Sequence, residues 1–200
     1  MSRSIVRASA AAFTLAAATL ASTNARADDT IKSPGDHPSY GVELEPHLLL
    51  GWWDNFYPGS AFGIGGRFSI PIVQNGFIPS INNSVAISFG MDWLHFDSNC
   101  NGLRGYNCSA NFVYFPVTMQ WNFFVAQKWS VFGEPGLYIY HGFFDDCPVG
   151  APNGQCAFLP SATGVRFAFY AGGRYHFSEK VSLTMRIGYP TLSIGVSWFL

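Results

Sequence analysis

The chain has 200 residues, is 48% hydrophobic and 17% aromatic, and carries only 12% charged residues, where an ordinary soluble domain carries about 25%. Its formal net charge of −1 gives no support to nucleic-acid binding. After the first 27 residues the apolar side chains form no run of about 18 that could cross a bilayer as a helix, which leaves strands with one apolar face.

The first element is a targeting segment. Arg3 and Arg7 precede an Ala- and Leu-rich run, which ends at Ala25-Arg26-Ala27. A basic start, an apolar middle and a small-x-small exit is the layout of a secretory signal peptide. Residues 1–27 are read as that peptide, cleaved after Ala27. The remaining chain has eight basic residues against twelve acidic ones, a net charge of −4. Residues 28–39 are polar, with Pro34 and Pro38, and read as a flexible leader.

From residue 40 to residue 200 the chain alternates. Leu44, Leu48, Leu50 and Trp52 share one face of the first segment, with Glu43, Glu45 and His47 on the other. Phe62, Ile64, Phe68 and Ile70 oppose Gly63, Gly65, Arg67 and Ser69. Val85, Ile87, Phe89, Met91 and Trp93 oppose Ser88 and Asp92. Val113, Phe115, Val117, Met119 and Trp121 oppose Thr118, Gln120 and Asn122. Trp129, Val131, Leu137 and Ile139 oppose Ser130, Glu134 and Tyr138, although Phe132 falls on the polar side. Phe167 and Phe169 oppose Arg166, Tyr170, Arg174 and His176. Val181, Leu183, Met185 and Ile187 oppose Ser182, Thr184 and Arg186. Leu192, Ile194, Val196, Trp198 and Leu200 close the chain. The glycines of "FGIGG" lack the Lys-Ser/Thr of a phosphate loop and read as sites of bending and close packing in the wall.

Eight segments of about 9–14 residues are each long enough to cross a bilayer when tilted. Strands can cross only as a closed barrel, because lipid offers the backbone no hydrogen-bond partner. The fold class predicted is all-β: an eight-stranded antiparallel up-and-down transmembrane β-barrel. The large apolar face then points outward. The inward face carries Glu43, Glu45, Asp92 and Glu134 against Arg67, Arg166, Arg174 and Arg186, four charges of each sign, and is expected to form a paired interior network. Trp52, Trp53 and Trp93 fall at one rim, and Trp121, Trp129 and Trp198 at the other, as two aromatic girdles predict.

Over residues 40–200 the chain resembles the small eight-stranded outer-membrane β-barrels of Gram-negative bacteria. The resemblance implies an outer-membrane location with both termini in the periplasm, a monomer, and outer-membrane lipid and lipopolysaccharide as surroundings. It also implies that the last strand is read by the barrel-assembly machinery. Leu192, Ile194, Val196, Trp198, Phe199 and Leu200 occupy that signal, with Phe199 one place earlier than the usual terminal Phe.

Cys100 and Cys108 fall in one outer loop, Cys147 and Cys156 in another. A secreted chain meets an oxidising compartment, which favours bridges. Local pairing, Cys100–Cys108 and Cys147–Cys156, closes two short rings rich in turn-forming residues; cross-loop pairing is the alternative. Candidate catalysis is thin: His95 and His141 lie near the outer rim with no serine beside them. The cysteines show no metal-ligand spacing, and no cofactor is expected. The resulting reading is a non-enzymatic barrel with a plugged polar interior, structural or presenting its loops for adhesion or interaction. The alternatives are a small passive channel and a lipid-A-modifying enzyme.

Overall fold

The computed structural model describes residues 30–54, 57–99, 107–144, 162–189 and 191–200, without the side chains of 52–60, 97–109, 144–162 and 190. Eight strands follow in chain order: β1 Glu43–Asp54, β2 Tyr57–Val73, β3 Asn83–Asn99, β4 Asn107–Ala126, β5 Trp129–Phe144, β6 Ala162–His176, β7 Val181–Tyr189 and β8 Thr191–Phe199. Each pairs antiparallel with the next, and β8 returns to β1, so the sheet closes into a barrel. No helix among the described residues is long and apolar enough to cross a membrane, which says nothing of strands.

The register fixes the tilt. Followed once around the barrel it runs from Trp93 through Ile64, Leu48, Ile194, Met185, Gly173, Val131 and Phe123 to Asn83. That returns it to β3 ten residues from the start. A stagger of this kind tilts the strands by roughly 40°. The ladder accounts for the alternation. Leu48 is 62% exposed on the outer wall while its neighbour Leu49 is 1% exposed inside. Phe62, Val117, Ile139, Phe169 and Ile187 stand outward on five other strands. A continuous apolar outer belt around a charged interior is the inverse of a soluble protein.

Several strands are longer than their alternation predicts. β7 and β8 have nine residues, enough for a bilayer, whereas β2 and β3 have 17 and β4 has 20. Most of the extra residues lie at the end holding the loops, outside the alternating segments. Beyond an apolar layer neither face is obliged to be apolar, so the period-two signal stops while the backbone ladder continues.

The interior has two storeys. Toward the end holding the termini it is charged. Toward the loop end Leu49, Leu94, Phe96, Phe112, Tyr114 and Tyr138 form one buried apolar cluster. The expectation of a polar interior is therefore corrected to the terminal half. A narrow barrel must be filled with side chains, and aromatic rings fill it without needing a partner charge.

Residues 30–39, read as flexible, fold across the terminal mouth. The Asn82 N–H donates to the Ile31 carbonyl at 2.7 Å, and its Nδ2 donates to the Asp36 carbonyl at 2.8 Å. Phe199 turns inward and is 5% exposed, while Ile194, Trp198 and Leu200 face outward. Its position one residue before the end is thus an interior position, set by alternation.

Candidate functional site

The candidate site is the charged storey, and Arg186 on β7 is its centre. Its Nη1 and Nη2 donate to the two Glu45 carboxylate oxygens at 2.6 and 3.0 Å. Its Nε and Nη2 donate to Glu134 at 3.0 and 3.1 Å. One guanidinium thus holds two carboxylates, from β1 and β5, in paired contacts that suit its planar fork. Arg174 on β6 donates to Glu43 at 2.6 Å and to Asn122 at 2.7 Å. Arg67 on β2 donates to Asp92 on β3 at 2.8 Å.

Uncharged residues join these pairs. Gln120 donates to Glu134 at 2.6 Å, and Asn122 donates to Gln120 at 3.3 Å. Arg174 is therefore continuous with Arg186 across β4. Ser197 donates to Glu45 at 3.3 Å. His47 bridges to the third pair: its Nε2 lies 2.9 Å from Asp92, and its Nδ1 lies 3.2 Å from the Glu45 carbonyl. Both ring nitrogens face oxygen acceptors, which a ring carrying both protons satisfies. Gly65 makes this contact possible, because a Cβ there would overlap the Asp92 carboxylate and His47 Nε2.

Seven residues that the sequence reading put on the inward face, Glu43, Glu45, Asp92, Glu134, Arg67, Arg174 and Arg186, are each no more than 4% exposed. Arg166 is a correction. It has the inward phase but sits at the loop end, half-buried, donating to the Tyr189 hydroxyl at 3.1 Å and lying 5.5 Å from the centre of the Tyr140 ring. β7 ends at Tyr189, opposite Phe169, so Arg166 lies beyond the end of the β6–β7 ladder. Within the charged storey, His47 rather than Arg166 is the further nitrogen group beside the carboxylates, 2.9 Å from Asp92. Phe132, the exception in the β5 pattern, is 4% exposed. Its ring lies 4.7 Å from the Arg174 guanidinium and 5.2 Å from that of Arg186. It is an apolar floor under two cations.

The histidines separate into different settings. His95 Nδ1 lies 3.0 Å from Asn111 Oδ1, and His141 Nδ1 lies 2.6 Å from Thr163 Oγ1, two separate pairs on the outer wall. His176 Nε2 lies 3.0 Å from Ser130 Oγ, and that serine is fully buried. No group of three His, Cys, Asp or Glu among the described residues could hold a metal ion. At the terminal mouth Tyr40 packs edge-on against Phe199, centroids 4.8 Å apart. Burial, with the Glu43 carboxylate adding to it, raises the Tyr40 hydroxyl above its ordinary pKa, so it stays protonated.

The girdles are partly within the described side chains. Trp93, Trp121, Trp129 and Trp198 stand on the outer wall. Trp121 also donates to Asn83 at 3.0 Å. The side chains of Trp52 and Trp53 lie outside the described residues, as do Cys100, Cys147 and Cys156. Cys108 is placed by its backbone alone, opposite Ser98. What the sequence reading missed were the neutral connectors. Gln120, Asn122 and Ser197 carry no charge, so only their inward phase marked them.

No family model matches the chain, and no curated protein matches it in sequence. Solved structures do match. Ail, the attachment invasion locus protein of Yersinia pestis, superposes with a TM-score of 0.51 at 14% identity, covering 81% of this chain and 100% of Ail. OprG from Pseudomonas aeruginosa gives 0.49 at 12% identity, over 84% of this chain and 93% of that one. Neisserial surface protein A gives 0.49 at 12% identity, over 80% and 97%. At such identities the likeness is one of fold: this chain has the closed eight-stranded architecture of small outer-membrane barrels.

Proposed function

We propose that this protein is an integral barrel of the Gram-negative outer membrane, closed to passive flow and without catalysis of its own, whose role is to hold its loops at the cell surface. The observation carrying the reading is the inverted polarity of β1, where Glu45 is 1% exposed and Leu48 is 62% exposed. Water does not tolerate an apolar belt of that extent, and a bilayer requires it. Removal of residues 1–27 as a signal peptide, periplasmic termini, and recognition of the last strand by the assembly machinery belong to this proposal. Lipid and lipopolysaccharide would be its immediate surroundings.

Closure is supported by the two storeys. An ion crossing the barrel would have to part the carboxylates from Arg186, then pass a cluster of apolar rings. The full chain inserted in planar bilayers is expected to give no sustained conductance while migrating as a heat-modifiable folded band. Ohmic steps from the folded species would overturn the closed reading in favour of a passive channel. Deacylation or palmitoyl transfer on lipid A by the same preparation would overturn the non-enzymatic one.

A further inference from the structure

The terminal mouth is crossed by a segment that docks on Asn82 and Phe124. Asn82 is fully buried at the foot of β3. Beyond its two contacts to the Ile31 and Asp36 carbonyls, its Oδ1 lies 2.6 Å from His37 Nδ1. The His37 ring stacks on Phe124, centroids 4.4 Å apart and planes within 2°. Between these anchor points residues 32–36 are exposed, and Gly35 takes φ +81° at the bend, a conformation glycine accepts at no steric cost. The other end is held separately. Gly41 N and Val42 N donate to the Leu200 carbonyl at 2.7 and 3.2 Å, and Leu200 N donates back to Val42.

The segment does not fill the mouth. Beside it lies a cavity of about 540 Å³, lined by Asp36, His37 and Tyr40 on one side and by Glu179, Lys180 and Phe199 on the other. The segment bridges this cavity between its docking point at Asn82 and Phe124 and a hinge beside Gly41, with residues 32–36 exposed between. Elements of this kind open as units well below the cost of global unfolding. Above the cavity, Phe199 and then the Arg174–Glu43 pair are the first groups of the charged storey, the Arg174 guanidinium lying 5.8 Å from the Phe199 ring.

We propose that residues 30–40 form a detachable strap, docked in a receptor site made by Asn82 and Phe124, that opens and closes the terminal mouth over the charged interior. The ligand of this site is the chain's own segment, recognised by its Ile31 and Asp36 carbonyls and by the ring of His37. Opening admits water to the floor of the barrel while the wall stays paired. The inference does not depend on the location or role of the barrel.

Trypsin cleavage after Lys32, followed on the folded full chain in micelles by the mass of the released fragment, tests it. Asn82→Ala and His37→Ala are each expected to raise the initial rate at Lys32 about tenfold, the loss of one or two hydrogen bonds. His37→Phe, which keeps the stack, is expected to fall between them and the parent. The heat-modifiable folded band is expected to persist in all of them. His37 lies on the strap itself, so that variant decides the matter if Asn82→Ala does not fold. The proposal is overturned if His37→Ala cleaves at the parent rate, or if the parent cleaves at Lys32 as fast as the urea-unfolded chain. It is equally overturned if His37→Ala abolishes the folded band, because the segment would then be part of the barrel.

Discussion

Glu134 and Arg174 do not touch, although both are buried in the same storey; they are joined through Gln120 and Asn122. Removing one partner of a buried ion pair costs about 3–5 kcal/mol. Glu134→Gln and Arg174→Met are each expected to lower the urea midpoint of the barrel refolded in lipid vesicles. A double-mutant cycle separates direct from relayed contact. Glu134→Gln is expected to couple to Arg186→Met by about 1 kcal/mol more than it couples to Arg174→Met. Equal coupling energies would contradict the assignment of Arg186 as the ion partner of Glu134.

Arg166 provides the contrast. Among the described residues it has a tyrosine hydroxyl and a ring beside it at the loop end, and a solvent-accessible contact such as the one to Tyr189 contributes about 0–1 kcal/mol. Arg166→Gln is expected to leave the urea midpoint nearly unchanged where Arg186→Gln lowers it strongly. Equal losses from the two variants would return Arg166 to the buried network.

Two glycines of the wall are expected to differ as sharply. A Cβ at Gly65 would strike Asp92 and His47, whereas one at Gly133 meets nothing within 4 Å. Forcing a methyl into packed surroundings costs about 1–3 kcal/mol. Gly65→Ala is expected to destabilise by that order and Gly133→Ala to be neutral. Thermal migration of the two variants in parallel checks this, and similar midpoints would count against the close approach at Gly65.

The four cysteines lead to a prediction about the loops. Local bridges Cys100–Cys108 and Cys147–Cys156 would each contribute roughly 2–3 kcal/mol to loop order in the chain-entropy model. Reductant is expected to increase proteolysis of the loops while the heat-modifiable band persists. Non-reducing peptide mapping that joined the Cys100 segment to the Cys147 segment would refute the local pairing.

Much of this architecture is legible from alternation. The Glu43-x-Glu45-x-His47 series placed three interior groups, and the Leu192 to Leu200 series placed the closing strand, because the backbone ladder projects successive side chains to opposite faces. Legibility ends where the physics that writes the pattern ends. Past the apolar belt the strands continue with no constraint on either face, so β4 begins at Asn107, five residues before Phe112. Phase cannot report height, so Arg166 reads like Arg174, although only Arg174 lies within the β6–β7 ladder. The strap was invisible for a further reason. Its anchor depends on Asn82, 46 residues from Asp36, and a polar proline-bearing segment has the same composition whether it is docked or free.

The division of the interior into storeys bears on how such a sequence can drift. In the upper one, a position such as Leu94 is held by shape alone, and hydrophobic exchanges of similar volume usually cost less than about 1.5 kcal/mol. In the lower one, Arg186 is bonded to two acids at once, so a neutral residue in its place leaves two buried carboxylates without their cation, at a cost of several kcal/mol. Relatives of this barrel are expected to differ freely in the rings beneath the loops, and to keep the lower charges unchanged or to replace several of them together.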